Sequence, residues 1–125
     1  MKLNPDCIRD ILLVIEEKII PDEDGDTEPI TAEELCDSVV LRKYQRGEVL
    51  YTVKSLFREG MVEEGPSYVS DSFPRIADLT AEGRRFLSVA KSNSVWVKVK
   101  KIAAENGVTL ATELLKIGLG LLTKT

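Results

Sequence analysis

The sequence contains no histidine, the side chain that enzymes most often use as a general base and that proteins most often use as a metal ligand. It has only two cysteines, Cys7 and Cys36, and their wide separation is unlike that of a zinc-ligand pair. Each lies in a helical pattern and is expected to be a small buried residue in a reducing environment. No glycine-rich phosphate loop or nucleophile elbow is present. We therefore expect no enzyme activity, no cofactor and no metal site.

Long apolar runs are also absent, and no stretch approaches the roughly 20 residues needed to cross a bilayer. The N-terminus lacks the basic stretch, apolar core and cleavage site of an export signal. The chain has 125 residues, of which 43% are hydrophobic and 30% charged, as in an ordinary globular domain. These features predict a cytoplasmic protein without a membrane span.

The formal net charge of −4 is distributed unevenly along the chain. Residues 1–30 carry nine acidic and three basic side chains, whereas residues 91–125 carry two acidic and six basic ones. Many of the acidic residues lie in one loop of polar composition, PDEDGDTEP, and basic residues are in excess in residues 91–125. The total charge therefore says little about partners, and each surface must be judged by itself.

Helix caps, apolar spacing and turn residues predict the order of the elements. A first helix begins at Asn4-Pro5, and a short second helix begins at the capping box of Thr31 and Glu34. The remaining predicted elements are a helix from about Gln45 to Glu59 that ends at Gly60, a strand from Met61 to Glu64, returning strand segments at Tyr68–Ser70 and Arg75–Leu79, and a helix capped by Thr80. The order helix, helix, helix, strand, strand, helix is that of a winged helix-turn-helix domain.

Several stretches resemble known families. VLYTVKSLFREGMV resembles the recognition helix and first wing strand of winged-helix regulators of the multiple-antibiotic-resistance and phenolic-acid families, and IADLTAEGRRFL resembles their wing-to-helix junction. In addition, MKLNPDCIRDILLVIEE, ITAEELCDS, EVLYTVKSLFREGMV, DLTAEGRRFL and SVWVKVKKIA are similar, in this order, to the domain-of-unknown-function family DUF2513 of phages, prophages and bacteria. This resemblance implies a phage-related origin and a winged-helix core, and it implies no established activity.

We predict a mainly α fold with a small β-wing. A winged helix-turn-helix domain spans residues 1–90, and a two-helix C-terminal extension spans residues 91–125. Three roles are open for the extension: it completes the core, it joins two subunits, or it lies on an anionic membrane. A homodimer is the preferred role and the membrane the least favoured. The candidate oligomerisation residues are Leu13, Val14, Ile20, Trp96, Leu114, Ile117 and Leu121.

The helix from Gln45 to Glu59 carries the predicted functional surface. Its expected buried stripe consists of Val49, Leu50, Val53, Leu56 and Phe57. The opposite face mixes cations that bind phosphate with polar and aromatic groups that reach base edges in the major groove. The candidate DNA-binding residues are Lys43, Arg46, Tyr51, Thr52, Lys54, Ser55, Arg58 and Arg75.

Two functions follow from this surface. The first is a phage- or prophage-type DNA-binding or regulatory protein that contacts double-stranded DNA. The alternative is a protein–protein interaction adaptor that acts on a host protein and uses the same scaffold without DNA. Glu48 and Glu59 favour the alternative, because carboxylates repel phosphate.

Overall fold

Helices dominate the computed structural model, which describes residues 2–123. These residues form six α-helices, one 3₁₀ turn and a two-stranded antiparallel sheet. In chain order the elements are α1 (Pro5–Lys18), α2 (Ala32–Cys36), the 3₁₀ turn (Val39–Leu41), α3 (Arg46–Arg58), β1 (Val62–Glu64), β2 (Ile76–Leu79), α4 (Ala81–Ala90), α5 (Asn93–Asn106) and α6 (Ala111–Thr123). The predicted mainly helical fold with a small β-hairpin is confirmed.

Side-chain caps begin α1, α2 and α4 at the residues that the sequence predicts. The Asn4 side chain caps α1. At α2, Thr31 Oγ1 accepts a hydrogen bond from the Glu34 N–H (3.1 Å), and at α4, Thr80 Oγ1 accepts one from the Gly83 N–H (3.1 Å). Each cap satisfies an amide that lacks a partner in the first turn of a helix, so these boundaries depend on local sequence alone.

A left-handed glycine connects α3 to the hairpin. Gly60 has φ of 71°, which side-chain-bearing residues rarely adopt. The chain then enters β1, which pairs with β2 in antiparallel register from Val62 opposite Leu79. An isolated bridge joins Ile30 to Ile76 at the outer side of β2. The predicted strand segment at Tyr68–Ser70 is wrong, because the Tyr68 N–H donates to the Asp71 carboxylate (3.0 Å) and the chain turns there.

A single cluster of buried apolar side chains includes residues from α1 through α6. Four of its largest members, Ile8, Ile11, Leu12 and Ile15, come from one face of α1. Each such side chain stabilises the fold by about 1.5–3 kcal/mol on burial. Described residues of both predicted segments, 1–90 and 91–125, share this core.

Three candidate oligomerisation residues lie inside the monomer, and their placement at a subunit interface was wrong. Val14, Trp96 and Leu114 are at most 2% exposed. The physical reason is that α5 and α6 fold back onto α1 and α4, so the apolar faces of the two segments cover each other. Leu13, Ile117 and Leu121 are half-buried against the same core, and only Ile20, at 72%, is largely exposed.

Candidate nucleic-acid interface

Helix α3 exposes a strip that carries two cations and an aromatic ring. Tyr51, Lys54 and Arg58 are exposed and follow the spacing i, i+3, i+7, which places them on one face. Gly47 lies one turn earlier on this face, and a Cβ built there would meet nothing within 4 Å. We call these four residues the α3 strip. It offers room for close approach of a partner and two positive charges to hold it.

The carboxylate of Glu59 is turned away from this strip. Its Oε2 accepts a hydrogen bond from Ser55 Oγ (3.1 Å). Its Oε1 accepts two hydrogen bonds from Thr112, one from the backbone N–H (3.0 Å) and one from the hydroxyl (3.1 Å). Glu59 is therefore committed to α6 and is poorly placed to repel a phosphate on the α3 strip.

The expectation that Thr52 and Ser55 face the major groove was wrong, since both are buried. Thr52 Oγ1 donates to the Glu48 carbonyl (2.7 Å) and accepts a weak bond from the Cys7 thiol (3.8 Å). Ser55 is satisfied by Glu59. A hydroxyl that keeps a hydrogen bond can be buried at little cost, and this is why two small polar residues enter the core here.

The buried stripe of α3 is consequently rotated from the predicted one. Val49, Val53 and Leu56 are buried as predicted. Leu50 and Phe57 are only partly buried, because Thr52 and Ser55 take the contact side of the helix instead. The rotation leaves the α3 strip exposed.

Lys43 and Arg46 are exposed, but each already forms an ion pair with a carboxylate of the same chain. Lys43 Nζ lies 3.1 Å from Asp10 Oδ2. Arg46 forms a two-armed pair with Glu33, in which Nη1 donates to Oε2 at 2.9 Å, and these hydrogen bonds lower the pKa of the Glu33 carboxyl. Exposed ion pairs are worth only about 0–1 kcal/mol, so phosphate can compete for both cations.

Arg75 is held within the hairpin. Its Nε donates to Asp71 Oδ2 (3.0 Å), which lowers the pKa of that carboxyl, and its guanidinium lies 4.6 Å from the centroid of the Tyr68 ring. No other basic residue occurs between Met61 and Leu79. Because β1 also exposes two carboxylates, Glu63 and Glu64, the hairpin repels phosphate rather than binding it.

The hairpin loop nevertheless lies beside the α3 strip. Lys54 Nζ is 5.7 Å from the centroid of the Phe73 ring, within the range of a cation–π contact. A partner on the α3 strip would therefore also meet this loop.

The remaining candidate chemistry is sparse. The thiols of Cys7 and Cys36 are free, and burial raises the pKa of Cys7 to about 11, so that this thiol stays protonated and weakly nucleophilic. Across residues 2–123, no group of three or more metal-ligating side chains comes together. No helix in that range has the length and apolar character of a membrane span.

Comparison with known proteins gives a family match. The model of a family described as "Hypothetical protein (DUF2513)" matches residues 2–109, which confirms the resemblance seen in the sequence. Neither the curated proteins nor the solved structures give a match. The family description carries no activity, so the function has to be inferred from the geometry.

Proposed function

We propose that this chain, which belongs to the DUF2513 family of hypothetical proteins, is a winged helix-turn-helix protein that binds duplex DNA through α3. The order α1, α2, α3, β1, β2, α4, with Ile30 bridging β2, agrees with that architecture. In helix-turn-helix proteins the recognition helix lies in the major groove. The phage- or prophage-type regulatory role predicted from the sequence is part of the same proposal.

The α3 strip is the observation that carries this proposal. A major groove about 12 Å wide admits an α-helix, and the open space at Gly47 permits close contact with the duplex. Lys54 and Arg58 match the acceptors of phosphates and of guanine edges, and the Tyr51 hydroxyl can donate or accept. Neither cation has an ion-pair partner among the described residues, and the Lys54 ammonium lies over the Phe73 ring.

Cations around the strip extend the proposed contact. Arg42 is exposed just before α3, and Lys43 and Arg46 can exchange their carboxylates for phosphate. Thr52, Ser55 and Arg75 have no part in the interface as now proposed. Because the hairpin adds repulsion, binding depends on few phosphate contacts and should be strong only at low salt.

Charge reversal on the α3 strip tests the proposal. The variant Lys54→Glu/Arg58→Glu is expected to bind a labelled random-sequence duplex at least about tenfold more weakly in fluorescence anisotropy, since two attractive interactions become repulsive. The plot of log K against log salt concentration should become less steep, with a slope smaller in magnitude by about 2, because two phosphates are no longer neutralised by the protein.

A matched control carries the same change in net charge elsewhere. Lys18→Glu/Lys116→Glu reverses two exposed lysines on α1 and α6 and should keep both the affinity and the salt slope near those of the wild type. Wild-type protein without salt-sensitive retention of duplex at low ionic strength would overturn the proposal. Equal losses of affinity in the strip variant and the control would overturn it as well.

The adaptor function remains a second candidate, and the ion pairs favour it. Lys43, Arg46 and Arg75 all hold carboxylates within the chain. On this alternative the α3 strip binds an acidic segment of a host protein. Capture from host lysate that survives nuclease treatment, and that Lys54→Glu/Arg58→Glu abolishes, would select the adaptor over DNA binding.

A further inference from the structure

The hairpin exposes apolar side chains, and it also exposes carboxylates without an ion-pair partner among residues 2–123. Tyr68 is 55% exposed and Val69 is fully exposed, although both are large apolar residues. Glu63 and Glu64 are exposed on the adjoining strand, and neither forms an ion pair with a described residue. We call these four residues the hairpin patch. Its composition suits a partner surface that is basic and partly apolar.

Helix α5 presents a surface of the opposite charge. Val97 is 61% exposed and lies beside the exposed residues Lys98 and Lys101 on one face. Lys100 pairs with Asp6 (3.1 Å), whereas neither Lys98 nor Lys101 has an ion-pair partner within residues 2–123. We call Val97, Lys98 and Lys101 the α5 patch.

We propose that the hairpin patch of one copy binds the α5 patch of a second copy of this chain. Carboxylate groups of the hairpin patch meet ammonium groups of the α5 patch, and exposed apolar side chains of both patches pack against each other. Within one chain, neither of these lysines pairs with Glu63 or Glu64, so the complementary charges are available between molecules. Complementary potentials of this kind direct association and fix its register.

The contact joins two different surfaces of the chain. It is isologous and closes into a dimer when both pairs of patches meet across a two-fold axis, and otherwise it is heterologous and continues into a ring or a chain of copies. This assembly leaves Val14, Trp96 and Leu114 in the core of each copy, where the structure holds them. It does not depend on DNA binding.

Two charge-reversal variants of the full chain test the contact by sedimentation velocity over a range of concentrations. In Glu63→Lys/Glu64→Lys both patches are basic, and in Lys98→Glu/Lys101→Glu both are acidic. Each variant alone should associate at least about tenfold more weakly than the wild type, because like charges then face each other. An equimolar mixture should associate again, since each patch of one variant is complementary to the other patch of its partner.

Controls separate this contact from general charge effects and from misfolding. Glu23→Lys/Glu28→Lys makes the same charge change in the exposed acidic loop and should leave association unchanged, and far-ultraviolet circular dichroism should be the same for all variants. Val69→Ser should weaken association without any change in charge. A wild type that stays monomeric at every concentration, variants that associate as the wild type does, or a mixture that stays monomeric would each overturn the proposal.

Discussion

Gly118 shows how a single residue determines the distance between two helices. A Cβ built at Gly118 would lie 2.2 Å from Val89 Cγ1, so α6 packs against α4 only because this position has no side chain. Gly120 lies on the same helix, and a Cβ there would meet nothing within 4 Å. From the sequence, both glycines count equally as a loss of helix propensity of about 1 kcal/mol. In the fold, Gly118 is required for the packing of α6 against α4, and Gly120 is not.

The two glycines therefore predict opposite effects of the same substitution. Gly118→Ala should lower the free energy of unfolding by about 1–3 kcal/mol, because Val89 is buried and both of its methyl groups lie close to the new atom. Gly120→Ala should raise it by up to about 1 kcal/mol through helix propensity. Urea unfolding curves measure both values, and Gly120→Ala is the matched control.

A second substitution tests the cause of the first effect. Val89→Ala combined with Gly118→Ala should cost less than the sum of the two single changes, since the small residue gives space to the new methyl group. Additive effects would show that the two side chains do not interact.

At the scale of elements, α3 and α6 are joined by one carboxylate. Glu59 follows the last turn of α3. Its carboxylate accepts a hydrogen bond from the Thr112 N–H, which lies in the first turn of α6. A negative charge at this end of a helix is favourable because the helix dipole is positive there. Glu59 thus acts for α6 as a cap supplied by another helix.

Removal of this carboxylate should loosen α6 more than α3. We expect Glu59→Ala to lower the free energy of unfolding by about 1–2 kcal/mol, since the Ser55 hydroxyl and the Thr112 groups lose their partner. Glu59→Gln keeps an acceptor and should cost less. Amide hydrogen exchange should accelerate first in α6, and unchanged protection of α6 in Glu59→Ala would contradict this role.

The distance along the sequence between contacting residues explains which parts of the molecule the sequence could predict. Helix starts at Thr31 and Thr80 were predictable because each cap acts within three residues. The burial of Thr52 was not, because the thiol that covers it belongs to Cys7, far away in the sequence. Apolar spacing alone assigned Leu50 and Phe57 to the core, since it cannot show that a hydroxyl has found a partner. For the candidate site, this means that the exposed cations were predictable and their intramolecular partners were not.

At the scale of the whole molecule, α1 and the C-terminal extension meet at Trp96. The indole N–H donates to Asp6 Oδ1 (3.0 Å), and the ring lies edge-on to Phe86 with centroids 5.7 Å apart. Lys100 Nζ adds an ion pair to the same carboxylate (3.1 Å). The C-terminal extension is thus held on α1 by a polar contact in addition to the shared core.

The Asp6 contact predicts how stability changes in acid. Burial raises the pKa of Asp6, but hydrogen bonds from Trp96 and Lys100 outweigh it and bring the net pKa below its ordinary value of 3.8. A carboxyl with a lower pKa in the folded state stabilises the fold above its unfolded pKa, and this contribution is lost as the pH falls through the folded value. Stability should therefore decline as the pH falls below about 4, with release of the extension from α1.

Trp96 is the only tryptophan, so its fluorescence reports this release directly. Asp6→Asn keeps an oxygen acceptor for the indole but removes the charge, and it should lower stability at neutral pH while flattening the acid-induced change in Trp96 emission. Asp71 also has a lowered pKa, through Arg75, yet it lies in the hairpin. Asp71→Asn should consequently retain the transition seen by Trp96. If Asp6→Asn follows the wild-type acid curve, the carboxylate at residue 6 does not hold the C-terminal extension on α1.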